Sequence, residues 1–226
     1  MTFDSARLLT KATSRAKSDV ANKLVGMFLH ELSRKLSSEI GMRVSDASYT
    51  QAVVGTFGSN CAYCERNLEA DRAAVEHLDG MNRFRVGLHI VGNVVMSCKR
   101  CNNQKRGDDS RVHLPLERSG WESYLAHDGS RCEPGCKTCL YWEGIWSERE
   151  TRVRKMFLAR ERITAFRAQF SKAILCGERA RNNHKASVEA LYRDGQNFAS
   201  NSIKKTVSAA LIDILCNAGV RPKNVD

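Results

Sequence analysis

Two C-x-x-C pairs, Cys61 with Cys64 and Cys98 with Cys101, constrain the fold of this chain more than any other feature of its sequence. In a reducing cytosol, cysteines paired at this spacing usually bind a metal rather than form disulfides. Four thiolates in two such pairs complete the tetrahedral coordination of Zn²⁺ and leave no position open. The sequence therefore predicts a structural zinc that stabilises a region with little core of its own, and four unligated buried thiols are the alternative.

Three further cysteines, Cys132, Cys136 and Cys139, follow in a C-x3-C-x2-C arrangement. A second Zn²⁺ bound there would take its fourth ligand from His127 or His113, and a loop with free thiols is the alternative. The same spacing occurs in the cluster signature of radical-SAM enzymes. The chain lacks the alternating strands and helices of the large α/β barrel that those enzymes usually need, so we favour zinc.

Helical periodicity is strongest in the two terminal parts of the chain. Apolar residues recur at intervals of three and four over residues 5–40, and further helices are predicted at 47–54, 147–175, 185–193 and 202–217. The last two of these are weakly compatible with a helix-turn-helix. Between the helical parts, the short apolar segments Ala73–Val75 and Val94–Met96 are predicted to be strands.

Four polar residues stand in a regular order around the two C-x-x-C pairs. Glu76 and His77 lie between the pairs, Asn93 follows, and Asn102 comes directly after the last cysteine, with Lys105 close behind. This arrangement resembles the HNH endonuclease family, whose ββα-metal active site has an acidic residue followed by His, a middle Asn, and C-x-x-C followed by Asn or His. The resemblance covers about a fifth of the chain and rests on several elements in the same order.

The resemblance implies a role for each of these residues. His77 would be the general base that takes a proton from water, and Glu76 and Asn102 would bind a catalytic Mg²⁺ or Mn²⁺ through hard oxygen ligands. Asn93 would orient the loop that bears the base. Asn103 would replace Asn102 if the register slipped by one residue. The family usually has Asp before the His, so Glu76 is a departure that affects the metal ligand more than the base.

The fold that the resemblance implies is α+β, with a central ββα-metal HNH module and zinc-stapled cysteine knuckles between N- and C-terminal helical regions. We expect a helical N-terminal arm over residues 1–56, a nuclease core with the second cysteine cluster over 57–146, and a basic helical region over 147–226. No apolar segment is long enough for a transmembrane helix, and the first residues lack a signal peptide. We therefore expect a cytoplasmic protein.

The net charge of +11 is distributed unevenly along the chain. Residues 147–226 contain 16 basic and 8 acidic side chains and residues 1–56 contain 8 and 5, whereas residues 57–146 contain 12 of each. A neutral core between basic helical flanks suits a protein that grips a polyanion, although a solvated basic surface is the plain alternative. Near the motif, Arg83, Arg85, Lys105 and Arg106 are candidate phosphate contacts or surface charges.

The favoured hypothesis is a metal-dependent endonuclease that cuts double-stranded DNA, of a restriction or phage-defence type. A homodimer with two-fold symmetry would cut both strands of a palindromic site. One alternative is a zinc-stapled module that binds nucleic acid without catalysis. Another is a nicking, homing or RNA-directed nuclease. His89, an isolated histidine, matches no catalytic position of the family, so we expect a structural role for it, and a contact with substrate or with a site residue is the alternative.

Overall fold

The computed structural model describes residues 5–70, 72–111, 119–129 and 132–217. Within these ranges the chain forms seven helices and one two-stranded antiparallel sheet, so the predicted mixture of helix and strand is confirmed and the helices predominate. The chain divides into two compact units. One unit is residues 28–185, and the other combines residues 1–27 with residues 186–226.

The elements follow one another in a simple order. They are helices α1 (Ser5–Ile40) and α2 (Ala47–Phe57), strands β1 (Ala73–His77) and β2 (Val94–Cys98), and helices α3 (Lys99–Arg111), α4 (Gly120–Tyr124), α5 (Lys137–Glu143), α6 (Arg149–Ala168) and α7 (Ser171–Asn217). Both predicted strands are therefore present, and each extends two residues further than its apolar segment suggested.

Two of the predicted motif residues, Glu76 and His77, are the last two residues of β1. β1 and β2 pair antiparallel, with Glu76 opposite Val95 and His77 opposite Val94. β2 ends at Cys98, and α3 begins at the next residue, so the order β1, β2, α3 places Asn102 in the first turn and a half of the helix that follows the hairpin. The sheet and this helix together contain most of the candidate site.

An aromatic core supports the sheet from one side. Phe166 in α6 packs against Tyr49 and Phe57 of α2, with ring centroids 5.9 and 5.2 Å apart. The hydroxyl of Tyr49 donates a hydrogen bond to the Val94 carbonyl at 2.5 Å. The same hydroxyl accepts a hydrogen bond from the Gly92 amide at 3.1 Å. Because Tyr49 is almost completely buried, it fixes the start of β2 against the helical layer.

The helix predicted over residues 147–175 is two helices in the structure. α6 ends at Ala168, α7 begins at Ser171, and the Phe170 amide donates to the Arg167 carbonyl three residues earlier rather than four. This tighter turn places the Phe170 ring 5.1 Å from that of Tyr49. Local periodicity does not register such a break, because it results from packing against a distant part of the chain.

The prediction of two separate short helices at 185–193 and 202–217 is wrong, because α7 is continuous through both ranges. A helix-turn-helix is therefore not formed by these residues. The segment between the two predicted helices contains Gly195, a weak helix former. In the unit formed by the chain ends, Gly195 lies so close to α1 that an added Cβ would be 3.0 Å from the Cα of Ala21. Close packing explains the glycine without a turn.

Among the described residues, no helix combines the length and the apolar character that a membrane crossing requires.

The loop between β1 and β2 folds back on itself at Gly87. An added Cβ at this position would overlap the backbone carbonyl of Asp79, and the Gly87 amide donates a hydrogen bond to the Gly80 carbonyl at 3.0 Å. The obstructing atoms belong to the backbone and cannot rotate away. Glycine is therefore the only residue type that lets the backbone at position 87 lie this close to the Asp79 carbonyl. This contact lies next to the candidate site.

We expect Gly87→Ala to destabilise the protein by about 3 kcal/mol, the upper range for overpacking a buried site. Urea unfolding, measured by far-UV circular dichroism, provides the test. The matched control is Gly55→Ala in α2, where an added Cβ meets no atom within 4 Å. This change should stabilise the protein by about 0.5–1 kcal/mol, because alanine favours a helix over glycine. Equal effects of the two changes would contradict the close approach at Gly87.

Candidate active site and metal centres

The two C-x-x-C pairs converge on one point. The Sγ atoms of Cys61, Cys64, Cys98 and Cys101 all lie within 4.8 Å of one another, and all four residues are buried. We call these residues the four-cysteine cluster. Their number, their softness as ligands and their mutual distances fit a tetrahedral Zn²⁺. The four residues could therefore hold a metal ion, as the sequence predicted.

Hydrogen bonds among the four thiols shift the pKa values of Cys98 and Cys101 in opposite directions. A hydrogen bond from Cys101, with others from Cys61 and Cys64, lowers the pKa of Cys98. The same interactions, first of all that with Cys61, raise the pKa of Cys101. A divalent cation would remove this asymmetry, because a bound thiol is deprotonated outright. The Tyr141 hydroxyl lies 3.1 Å from the Cys101 Sγ, close enough to donate a hydrogen bond to a thiolate.

The first C-x-x-C pair is also held from outside by α6. Glu65, directly after Cys64, has a left-handed backbone with φ of 60°, a conformation that favours glycine. Its carboxylate is 2.5 Å from the Lys155 Nζ and 2.6 Å from the Arg162 Nη1. These ion pairs connect the first C-x-x-C pair to α6.

The second cysteine group gathers around a histidine. One ligand atom from each of His127, Cys132, Cys136 and Cys139 lies within 4.8 Å of the others, and we call these residues the histidine–cysteine cluster. The Nδ1 atom of His127 is 3.2 Å from the Cys132 Sγ and 3.4 Å from the Cys136 Sγ. His127 is therefore the histidine that meets the three cysteines. The alternative ligand His113 lies outside the described residues.

A buried carboxylate holds the other nitrogen of His127. The Nε2 atom is 3.2 Å from the Asp108 Oδ1, which also accepts a hydrogen bond from the Thr138 hydroxyl at 3.0 Å. The hydrogen bond between Asp108 and His127 raises the pKa of His127 to about 9, although burial opposes the shift. Metal-binding histidines commonly donate their second N–H to a carboxylate in this way, which leaves Nδ1 directed at the metal.

A cavity of about 260 Å³ opens beside the sheet and α3. Its walls include Glu76, His77, Asn82, Asn102, Lys105 and Asp109. The Asn102 amide nitrogen donates hydrogen bonds to the Glu76 Oε2 at 2.8 Å and to the Val75 carbonyl at 3.2 Å. Three of the predicted site residues, Glu76, His77 and Asn102, therefore meet at one cavity.

Lys105 is buried in the floor of this cavity rather than extended into solvent. Its ammonium is 3.0 Å from the Glu76 Oε1, 3.0 Å from the Asp109 Oδ2 and 3.0 Å from the His77 carbonyl. Burial opposes the charged form, but the two carboxylates outweigh it and raise the pKa of Lys105. Lys105 thus fixes Glu76 and the backbone of His77, and it is neither a solvated charge nor extended toward a phosphate.

His77 is the last residue of β1, and its Nε2 lies 3.0 Å from the Nδ1 of His89. Burial lowers the pKa of His77 to about 3, with smaller repulsive contributions from His89 and Lys105. The imidazole is therefore neutral at pH 7, which is the form that accepts a proton.

Asn93 does not line this cavity. Its side-chain oxygen accepts a hydrogen bond from the Asp79 amide at 2.8 Å, and its Nδ2 donates to the carbonyls of Asp79 at 3.1 Å and Leu88 at 2.8 Å. These contacts tie together the two ends of the loop that follows His77. Asn93 therefore fixes the path of this loop, and its positioning role remains a prediction.

Two residues at the site were not anticipated from the sequence as parts of it. Asp109 pairs with Lys105 four residues earlier on α3, a spacing that a search for helical ion pairs would have found. His89 meets His77 through the loop, and no local pattern predicts that contact. Of the four basic candidates, Arg106 is exposed at the cavity, whereas Arg85 is buried and Arg83 lies over the Phe84 ring at 4.2 Å.

Neither a family model, nor a curated protein, nor a solved structure matches this chain.

Proposed function

We propose that this protein is a metal-dependent nuclease that hydrolyses phosphodiester bonds of DNA in the cavity between β1 and α3. The observation that supports the proposal best is the convergence of Glu76, His77 and Asn102 on this one cavity. An acidic residue, a neutral imidazole and an amide at a single opening are the groups that HNH endonucleases use. The succession of two antiparallel strands and a helix agrees with the ββα module of that family.

In the proposed reaction, His77 accepts a proton from the attacking water. The imidazole suits this task because it is neutral at pH 7 and lines the cavity. Lys105 holds the His77 carbonyl, and Asn93 holds the loop beyond it, so the ring is presented from a rigid backbone. The water would attack phosphorus while the bond to the 3′ oxygen breaks.

The residues beside His77 fit a hard divalent cation. The Glu76 carboxylate and the Asn102 amide are adjacent, and both hydrogens of the amide are directed away toward Glu76 and Val75, which leaves the Asn102 Oδ1 as the ligand atom. Together Glu76, Asp109 and Lys105 sum to one negative charge when ionised. Mg²⁺ or Mn²⁺ bound by Glu76 and Asn102 would neutralise the negative charge of the phosphate and of the leaving oxygen.

We further propose that both cysteine groups bind Zn²⁺ in a structural role. Each offers four ligands, so neither leaves an open position for catalysis. The four-cysteine cluster joins the loop before β1 to the start of α3, and the histidine–cysteine cluster is joined to the end of α3 through Asp108. The two ions would therefore fix both ends of the helix that bears Asn102 and Lys105.

Zinc affinity at the histidine–cysteine cluster is expected to fall about 10- to 100-fold in Asp108→Asn, because the neutral amide no longer orients and strengthens His127 as a ligand. Competition with a chromophoric zinc chelator measures the loss, and one of two zinc ions should become easier to remove. Glu133→Gln, an exposed neighbour of Cys132, is the matched control and should retain both affinities. Unchanged binding in Asp108→Asn would contradict ligation by His127.

The basic charge of the flanks supports a polyanionic substrate. The proposed substrate is double-stranded DNA, held by the basic residues outside the neutral segment 57–146, with cleavage of both strands by a restriction-type enzyme. The proposal is tested by incubating the zinc-loaded protein with supercoiled plasmid, single-stranded DNA and RNA, each with Mg²⁺, with Mn²⁺ and with neither. Linear plasmid would support double-strand cleavage, and open circles alone would indicate nicking. Binding without cleavage of any substrate would favour the zinc-stapled binding module.

A further inference from the structure

The side chain of His77 contacts a second histidine, His89, beside the cavity. The Nε2 atom of His77 and the Nδ1 atom of His89 are 3.0 Å apart, and the two ring centroids are 5.2 Å apart. At this distance one nitrogen must donate and the other must accept, so at least one of the two facing nitrogens has no proton. The direction of this hydrogen bond decides which atom of His77 can act as a base.

Only one direction leaves His77 functional. If the His89 Nδ1–H donated to His77, the His77 proton would be on Nδ1 and its one lone pair would be occupied by the hydrogen bond. If His77 donates through Nε2–H, its Nδ1 lone pair stays available for a water molecule. The second arrangement also requires His89 to have its own proton on Nε2.

We propose that His89 is the positioning residue for the general base, accepting the Nε2–H of His77 on its Nδ1 and thereby fixing the tautomer and the ring orientation of His77. This inference rests on the proposed nuclease function. His89 touches neither water nor phosphate in this role and acts only through His77. Partners of this kind commonly determine which ring nitrogen of a functional histidine is available.

The peptide group between Leu88 and His89 is held at both its N–H and its C=O. Its amide donates to the Ser33 hydroxyl at 2.9 Å, and that hydroxyl donates to the Leu29 carbonyl at 2.5 Å within α1. The preceding carbonyl, that of Leu88, accepts from the Asn93 side chain at 2.8 Å. The imidazole of His89 is therefore presented to His77 from a backbone with little freedom to move.

The hydrogen bond becomes more favourable as the reaction proceeds. When water loses a proton to the His77 Nδ1, its oxygen forms a bond to phosphorus, the bond from phosphorus to the 3′ oxygen breaks, and the leaving oxygen takes a proton from solvent. His77 is then a cation whose Nε2–H donates to the neutral His89, and such charge-assisted hydrogen bonds are roughly twice as strong as neutral ones. The proton on Nδ1 returns to solvent afterwards.

The tautomers can be observed without any activity. In zinc-loaded protein labelled with ¹⁵N-histidine, long-range ¹H–¹⁵N correlation spectra distinguish a ring protonated on Nε2 from one protonated on Nδ1. We expect His77 and His89 both to have the proton on Nε2, and His77 to become a mixture of tautomers in His89→Leu. A His77 protonated on Nδ1 in the wild type would overturn the proposal.

Kinetics provide the second test, with a conservative variant as the rescue. His89→Leu keeps much of the volume but has no acceptor, and it should lower kcat on DNA about 10- to 100-fold with KM changed less than about two-fold. His89→Asn places an amide oxygen where Nδ1 was and should recover kcat to within about five-fold. His184→Leu, at a histidine outside the cavity walls, should match the wild type.

The two hypotheses fail in different ways. If the wild type cleaves no substrate, the proposed function is wrong and the role of His89 with it. If the wild type cleaves DNA and His89→Leu cleaves equally fast, only the role of His89 is wrong. An equal loss in His89→Leu and His89→Asn with an unchanged His77 tautomer would also overturn the proposal, because it would show a packing effect.

Discussion

His77→Ala is expected to lower the rate of DNA cleavage about a thousand-fold, within the range that general-base catalysis contributes. The variant removes the imidazole that lines the cavity together with Glu76 and Asn102. Lys105 holds the backbone carbonyl of His77, a contact that alanine retains, and the contact with the His89 ring is the side-chain hydrogen bond that is lost. The measurement is single-turnover cleavage of a labelled duplex at saturating protein with Mg²⁺.

Duplex affinity, protein integrity and a second histidine variant distinguish loss of the base from loss of binding or folding. The variant should bind the same duplex with an affinity within a few-fold of the wild type, since the base contributes to the transition state and not to ground-state binding. Its zinc content and melting temperature should be unchanged. His184→Ala, a change of the same kind at a half-buried histidine of the same unit, should cleave at the wild-type rate. Equal rates for His77→Ala and the wild type would exclude His77 as the base.

Cys98→Ser is expected to abolish cooperative folding of the region around the sheet. Cys98 ends β2, directly before α3, and its Sγ lies 3.8 Å from that of Cys64. Structural zinc contributes about 10–16 kcal/mol in small zinc modules, whereas a whole domain is stable by about 5–15 kcal/mol. The loss of even half of the zinc contribution would therefore remove most of the net stability.

Metal analysis and thermal unfolding measure this effect together. Cys98→Ser should contain one zinc per chain instead of two and should lack a sharp unfolding transition. The matched control is Cys176→Ser, because Cys176 is a partly buried free cysteine outside both clusters. That variant should keep both zinc ions and unfold within a few degrees of the wild type. A zinc-free wild type with a sharp transition would contradict the structural role of the metal.

The sequence was most informative where a few residues determine the chemistry. The spacing of the two C-x-x-C pairs predicted the four-cysteine cluster, because ligands of one metal must converge whatever the rest of the chain does. The C-x3-C-x2-C segment likewise predicted the second cluster, and the structure selects His127 among the described residues as its histidine. The two strands were predictable from short apolar segments bordered by polar residues.

The sequence was least informative where distant packing decides. The break between α6 and α7 at Phe170 and the continuity of α7 through Gly195 both depend on contacts with other helices, which local propensity does not encode. The burial of Lys105 has the same origin, since a lysine at this spacing looks exposed until the sheet and Asp109 enclose it. The contact of His89 with His77 depends on the path of a loop.

The central claim is that the cavity of Glu76, His77 and Asn102 is a site of DNA hydrolysis. It is tested most directly by adding Mg²⁺ to zinc-loaded wild-type protein bound to a doubly end-labelled DNA duplex and identifying the ends at each cut. We predict cleavage that starts only on addition of Mg²⁺ or Mn²⁺ and leaves a 5′ phosphate and a 3′ hydroxyl, since the bond to the 3′ oxygen breaks. A duplex that stays intact with either metal, while the protein is folded, zinc-loaded and bound to it, would contradict the claim.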